Sequence, residues 1–118
     1  ANWAQTELAM DFAIFEEDGE PVGQQYATDA GPIDILAVSH DRKRLLVVEL
    51  KRGRASDVVV GQILRYMGYI KELVAEPGQT VEGAIIALDN DQKLRWALSA
   101  VPNIRFYRYQ VNFRLLLE

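Results

Sequence analysis

The chain has 118 residues, 49% hydrophobic and 25% charged, with a formal net charge of −4; that is enough for one domain with its own core and too apolar for wholesale disorder. It has no cysteine and a single histidine, His40, which excludes disulfides, thiolate zinc sites, histidine-rich metal sites and His-based triads. No apolar run nears the roughly 18 residues of a membrane span and no signal peptide is visible, so the expectation is a single domain over 1–118, cytoplasmic and away from membranes.

Leu8, Phe12 and Phe15 fall at helical spacing behind Thr6, predicting a helix from Thr6 to about Glu17 that Asp18-Gly19-Glu20-Pro21 ends. Val22 to Thr28 reads as a weakly patterned first strand, and Asp29-Ala30-Gly31-Pro32 as a turn into a second strand over 33–39. Ser39-His40-Asp41-Arg42-Lys43 makes a hairpin-type connection to a third strand, 44–51. Ser56 is placed to cap a long helix running to about Ala75, and Pro77-Gly78 stops it. Val81 to Leu88 is apolar on both faces, as a buried parallel strand should be. Asp89 or Asn90 then caps a short helix through Ser99, and 104–117 is β-rich, as one strand or a hairpin. The order α-β-β-β-α-β-α-β predicts an α/β fold: an antiparallel meander, a helical crossover to a parallel strand, and so a mixed central sheet flanked by helices.

Ionisable residues interrupt two of these core strands. Asp34 opens the run Ile33-Asp34-Ile35-Leu36-Ala37-Val38, and Glu49-Leu50-Lys51 closes the run that begins at Leu45. Alternation puts Glu49 and Lys51 on one side of the strand. Such charges cost several kcal/mol to desolvate unless paired or metal-bound. Hydrolysis of a phosphodiester needs charge stabilisation and an activated water, and hard cations such as Mg²⁺, bound by oxygen ligands, supply both. Asp34 and Glu49 are suitable ligands, with the Leu50 carbonyl as a possible third. Lys51 could orient or deprotonate the attacking water, or neutralise developing charge. On the long helix Gln62 and Tyr66 lie only about 40° apart, at the edge of the apolar stripe, where an amide could hold the lysine and a hydroxyl could meet phosphate.

These residues, Gly31-Pro32-Ile33-Asp34, Glu49-Leu50-Lys51 and Gly61-Gln62-Ile63-Leu64-Arg65-Tyr66, resemble the motifs of the PD-(D/E)xK nuclease superfamily, whose restriction-endonuclease-like core is αβββαβ. The likeness is nearest to the catalytic domain of NucS/EndoMS-type and related RecB-like endonucleases, and Gly23-Gln24-Gln25 also fits that pattern. It covers about Glu7 to Leu88. The resemblance implies Mg²⁺- or Mn²⁺-dependent cleavage of DNA, with Asp34 and Glu49 as ligands and Lys51 at the water. The family's helix-one glutamate, a further metal acid, corresponds best to Glu7. Pro32 departs from the pattern, standing where relatives often carry a polar or basic residue. None of these 118 residues corresponds to the DNA-binding domain that precedes the nuclease domain in NucS-type proteins, so mismatch or branched-DNA specificity is not carried over.

Charge is unevenly spread: residues 1–34 hold eight acids and no Lys or Arg, whereas 35–118 hold nine acids and thirteen bases. Arg52 and Arg54, just beyond the catalytic strand, and Arg65 on the long helix are the candidates for contact with nucleic acid. A domain this small covers little DNA, so a homodimer or a separate DNA-targeting partner is expected. The rival reading is a non-catalytic module that keeps the fold and binds nucleic acid or protein. The intact Asp34, Glu49 and Lys51 speak against it.

Overall fold

A computed structural model describes residues 3–118. Two short 3₁₀ turns, Trp3–Gln5 and Glu7–Met10, lead into β1 (Phe12–Ile14). The two-residue strands β2 (Glu16–Glu17) and β3 (Glu20–Pro21) form a small hairpin, followed by β4 (Gln24–Tyr26). The central pair is β5 (Ile33–Ser39) and β6 (Arg44–Leu50). Helix α1 (Val58–Leu73) crosses over to β7 (Thr80–Ala87), and α2 (Gln92–Ser99) precedes β8 (Ile104–Arg108).

The main sheet runs β1-β5-β6-β7-β8, with β4 sharing the outer edge of β5. Pairing is antiparallel from β1 and β4 through β5 to β6, and parallel from β6 through β7 to β8. The mixed α/β architecture expected from the sequence is therefore present. Alternation along β6 separates two cores: Leu45 and Val47 join Val59, Ile63, Ile70 and Leu94 under the helices, while Leu46 and Val48 join Leu8, Phe12 and Ala84 on the opposite face. On that second face Arg44 spans three strands. Its guanidinium makes two 2.8 Å bonds to Glu82 of β7 and lies 4.8 Å from the Phe12 ring centroid.

One expectation fails outright. Residues 6–17 are not a helix, so the expected helix-first order does not hold. Phe12-Ala13-Ile14 instead pair with Ser39, Val38 and Ala37. The same segment carries a period-2 pattern in Phe12 and Ile14, and the open edge of β5 satisfies its backbone groups, which tips aromatic and β-branched residues toward a strand. Asp18 and Gly19, with φ of 52° and 81°, are the central pair of a tight hairpin rather than a helix stop.

Other differences are local. Strand β4 is shorter than the expected 22–28. The N-cap of α1 is Asp57, helical in backbone and without a side-chain capping bond, so Ser56 does not cap it. Asp91, rather than Asp89 or Asn90, caps α2 by accepting from the Leu94 N–H at 2.8 Å. The final strand stops at Arg108, which is paired with Ala87, the last residue of β7. The Tyr109 N–H still donates to the Ala87 carbonyl at 3.0 Å, but β7 goes no further, and 109–118 forms no regular element.

Candidate functional site

Register builds the site. The β5–β6 ladder pairs Ile35 with Val48 and Leu36 with Val47, so one step further Asp34 stands opposite Glu49. Glu49 shares the helix-bearing face with Leu45 and Val47, and both acids stand at the end of the sheet where β6 and β7 finish. The backbone N–H of Leu50 donates to Asp34 Oδ2 at 2.8 Å, and Gln25 Nε2 donates to Asp34 Oδ1 at 3.4 Å. Asp34 is half-buried; Glu49 is only 2% exposed.

Glu49 is the electrostatic anomaly. Its Oε1 is buried with no hydrogen-bond partner among the described residues. Burial, and then the neighbouring Asp34 charge, push its carboxyl up to about 7, with Lys51 pulling the other way. Lys51 Nζ lies 3.9 Å from Glu49 Oε2, too long for a hydrogen bond. Its ammonium donates instead to Gln62 Oε1 at 3.2 Å.

The polar chain continues into the core. Gln62 Nε2 donates to the Tyr66 hydroxyl at 3.4 Å, which leaves the amide oxygen to face the lysine. Tyr66 is buried and packed against Gly31, where an added Cβ would sit 3.1 Å from the hydroxyl oxygen. Gly31 also holds φ at +113°, a backbone conformation that only glycine adopts without strain. Tyr66 therefore stands behind Gln62 rather than at the surface.

A cleft of about 780 Å³ opens beside these groups, with Asp34 and Lys51 on its wall next to Gln24, Gln25, Leu50 and Arg52. Trp3 and Thr6 form one flank, Tyr109 and Gln110 another. Trp3 is fixed by its indole N–H, which donates to the Phe12 carbonyl at 3.1 Å. The Tyr109 hydroxyl donates to the Arg52 carbonyl, clasping the segment just after Lys51.

The structure thus gathers Asp34, Glu49, Lys51, Gln62 and Tyr66, with the Leu50 backbone bound to Asp34. It does not gather Glu7, which is exposed on the second 3₁₀ turn and outside the cleft wall; among the described residues no three acidic or histidine side chains cluster closely enough to hold a metal. Arg52 reaches the cleft. Arg54 is held 3.5 Å from Asp89, and Arg65 lies with its guanidinium 5.8 Å from the Tyr66 ring centroid. Trp3 and Tyr109 join the site without a signal in any of the sequence motifs, and Gln25 joins it from the Gly23-Gln24-Gln25 segment. For Tyr109 one signal was available: parallel β6, β7 and β8 must all end on the same edge, which brings the residues after β8 to the site.

Known proteins resemble this chain in sequence and fold. The sequence model described as "Endonuclease NucS C-terminal domain" matches residues 2–110. Endonuclease NucS of Sulfolobus acidocaldarius is 31% identical over 74 residues, which is 63% of this chain and 28% of that protein. Endonuclease NucS of Pyrococcus furiosus is 34% identical over 74 residues, 63% of this chain and 26% of that one. The chain therefore spans little more than a quarter of these relatives. A repair endonuclease from Pyrococcus abyssi superimposes with a TM-score of 0.63 at 26% identity, over 77% of this chain and 38% of that one. The structure of an EndoMS–dsDNA complex gives 0.63 at 25% identity, over 77% and 36% of the two chains.

Proposed function

This chain belongs to the endonuclease NucS C-terminal domain family, and on that premise we propose that it is a divalent-metal-dependent endonuclease unit that hydrolyses phosphodiester bonds in DNA. The observation that carries the reading is Glu49 Oε1: a carboxylate oxygen buried, unpartnered, and opposite a second carboxylate. A structural ion pair would have satisfied it. An oxygen-seeking cation fits this donor set, with Asp34 and Glu49 as its carboxylates and the Leu50 carbonyl as a further oxygen. Mg²⁺ or Mn²⁺ held there supplies charge neutralisation at the phosphate and acidifies water.

The remaining work falls to the protein. The Leu50 N–H keeps Asp34 turned toward the strand end. Gln62, its amide oriented by Tyr66, holds the Lys51 ammonium beside the cleft. From there Lys51 donates hydrogen bonds to the scissile phosphate as charge develops on it. Arg52 on the cleft wall, and Arg54 and Arg65 further out, contact flanking phosphates. The EndoMS–dsDNA neighbour supports DNA as the substrate. The unit acts as a homodimer or beside a separate DNA-targeting partner, because one copy covers little duplex.

Nicking of supercoiled plasmid in Mn²⁺, compared with EDTA, tests this reading. The chain should nick only with metal, and Asp34→Ala and Lys51→Ala should each lower the rate at least about 100-fold. Metal-independent nicking, or variants as active as the parent, would refute it. DNA binding without any cleavage would point to the non-catalytic module.

A further inference from the structure

Resting on that reading, we infer that Gln25 is a positioning residue that holds the Asp34 carboxylate for the cation. Three independent observations converge on it. Gln25 is one of four non-glycine residues with positive φ among the described residues, at 51°; left-handed backbone at a side-chain-bearing residue persists where the surroundings demand it, and clusters at functional sites. The β4–β5 ladder pairs Gln24 with Ile35 and Tyr26 with Ile33, so Gln25 lies directly across from Asp34, as Glu49 does on the other side. The side-chain amide also reaches Asp34 Oδ1 at 3.4 Å and lines the same cleft.

The consequence is a row across three strands: Gln25, Asp34, Glu49. Asp34 is gripped on both oxygens, Oδ2 by the Leu50 N–H and Oδ1 by Gln25. The two donors fix the plane of the carboxylate before any cation arrives. A hydrogen-bonded ligand loses less freedom on binding, and partners of this kind are typically worth about 10-fold or more in metal affinity. A neutral amide does this without adding a third negative charge beside the buried Glu49.

Calorimetric titration with MnCl₂, together with melting curves and the nicking assay, separates the side chain from the backbone. Gln25→Gly accepts the left-handed backbone freely but removes the amide, and Gln25→Leu keeps the bulk without the donor. Gln25→Gly should bind Mn²⁺ about 10-fold more weakly while melting at the parent temperature or above it. Nicking should recover toward the parental rate at saturating Mn²⁺. Gln25→Leu should lose the same affinity. Unchanged Mn²⁺ affinity in a folded Gln25→Gly protein overturns the inference, as does weaker binding accompanied in both variants by a lower melting temperature, since Gln25 would then serve only the fold. Parental binding and nicking alongside an unaffected Gln25→Gly leaves the nuclease reading intact. A parent that neither binds Mn²⁺ nor nicks DNA removes both.

Discussion

Glu49 is the one charged side chain buried among the described residues, and its protonation makes a prediction about stability. Its folded carboxyl sits at about 7 against an ordinary 4.5, so between those values the folded chain holds a proton that the unfolded chain has released. Stability from this group is fully present below pH 4.5 and is lost as pH rises through about 7. In EDTA, Glu49→Gln should therefore change the melting temperature little at about pH 4 and raise it at about pH 8, by an equivalent on the order of 3 kcal/mol. Melting curves at the two pH values check this, and equal effects at both would show that the carboxyl does not titrate as described. Glu7 gives the contrasting case. Exposed and apart from the cleft wall, it is recommended by its place in the sequence and not by its surroundings.

Among the elements, the short strands along the outer edge of β5 are the most demanding of one residue. Gly23 N and Val22 N both donate to the Phe15 carbonyl, at 3.0 and 2.9 Å, and Leu36 N donates to the Gly23 carbonyl at 2.7 Å. A Cβ on Gly23 would fall 2.2 Å from Leu36 O and 2.8 Å from Phe15 N. Both obstacles are backbone, so no side chain can swing aside. Gly23→Ala should destabilise the chain by about 3 kcal/mol or more, with the amides of β1 and β4 losing hydrogen-exchange protection first. Protection lost uniformly across the sheet would contradict that local origin. Gln25 follows two residues later, so the same edge that absorbs residues 12–26 also presents the amide to Asp34. A helix over 6–17 would leave this edge of β5 without β1.

For the whole molecule, the two faces of the sheet are unequally covered. Helices α1 and α2 pack on one face, whereas the described N-terminal turns, with Trp3 and Leu8, pack on the other. The cleft opens between those turns, the ends of β5 and β6, and Tyr109. Past Gln110 the chain carries exposed apolar side chains, Phe113 at 88% and Leu117 at 104% exposure, that pack on nothing among the described residues. Ending the chain after Gln110 should change the melting temperature by no more than about 2 °C, because exposed groups contribute little. Tyr109→Phe should instead loosen the Arg52 segment. Differential scanning calorimetry distinguishes the two, and a large loss on truncation would mean that the tail packs.

The residues that perform the proposed chemistry were legible in sequence because each broke a pattern: acids and a lysine in apolar strands, an amide and a phenol at a helix stripe's edge. The same is true of β5, β6, α1 and β7, whose long periodic runs leave little choice of state. The segment 6–17 satisfied two periods at once, and only the unfilled edge of β5 chose between them. The β-rich stretch 104–117 becomes a strand only as far as Arg108, since β7 ends at Ala87 and offers no edge beyond it. Tyr109 reaches the site through a contact distant in the chain, to Arg52 57 residues away, and Trp3 and Gln25 through contacts between neighbouring segments, each nine residues apart. Local patterning determines which side chains want to be buried and on what period. Which backbone edges are free to be paired, and so what stands beside the two carboxylates, is settled only when the strands assemble.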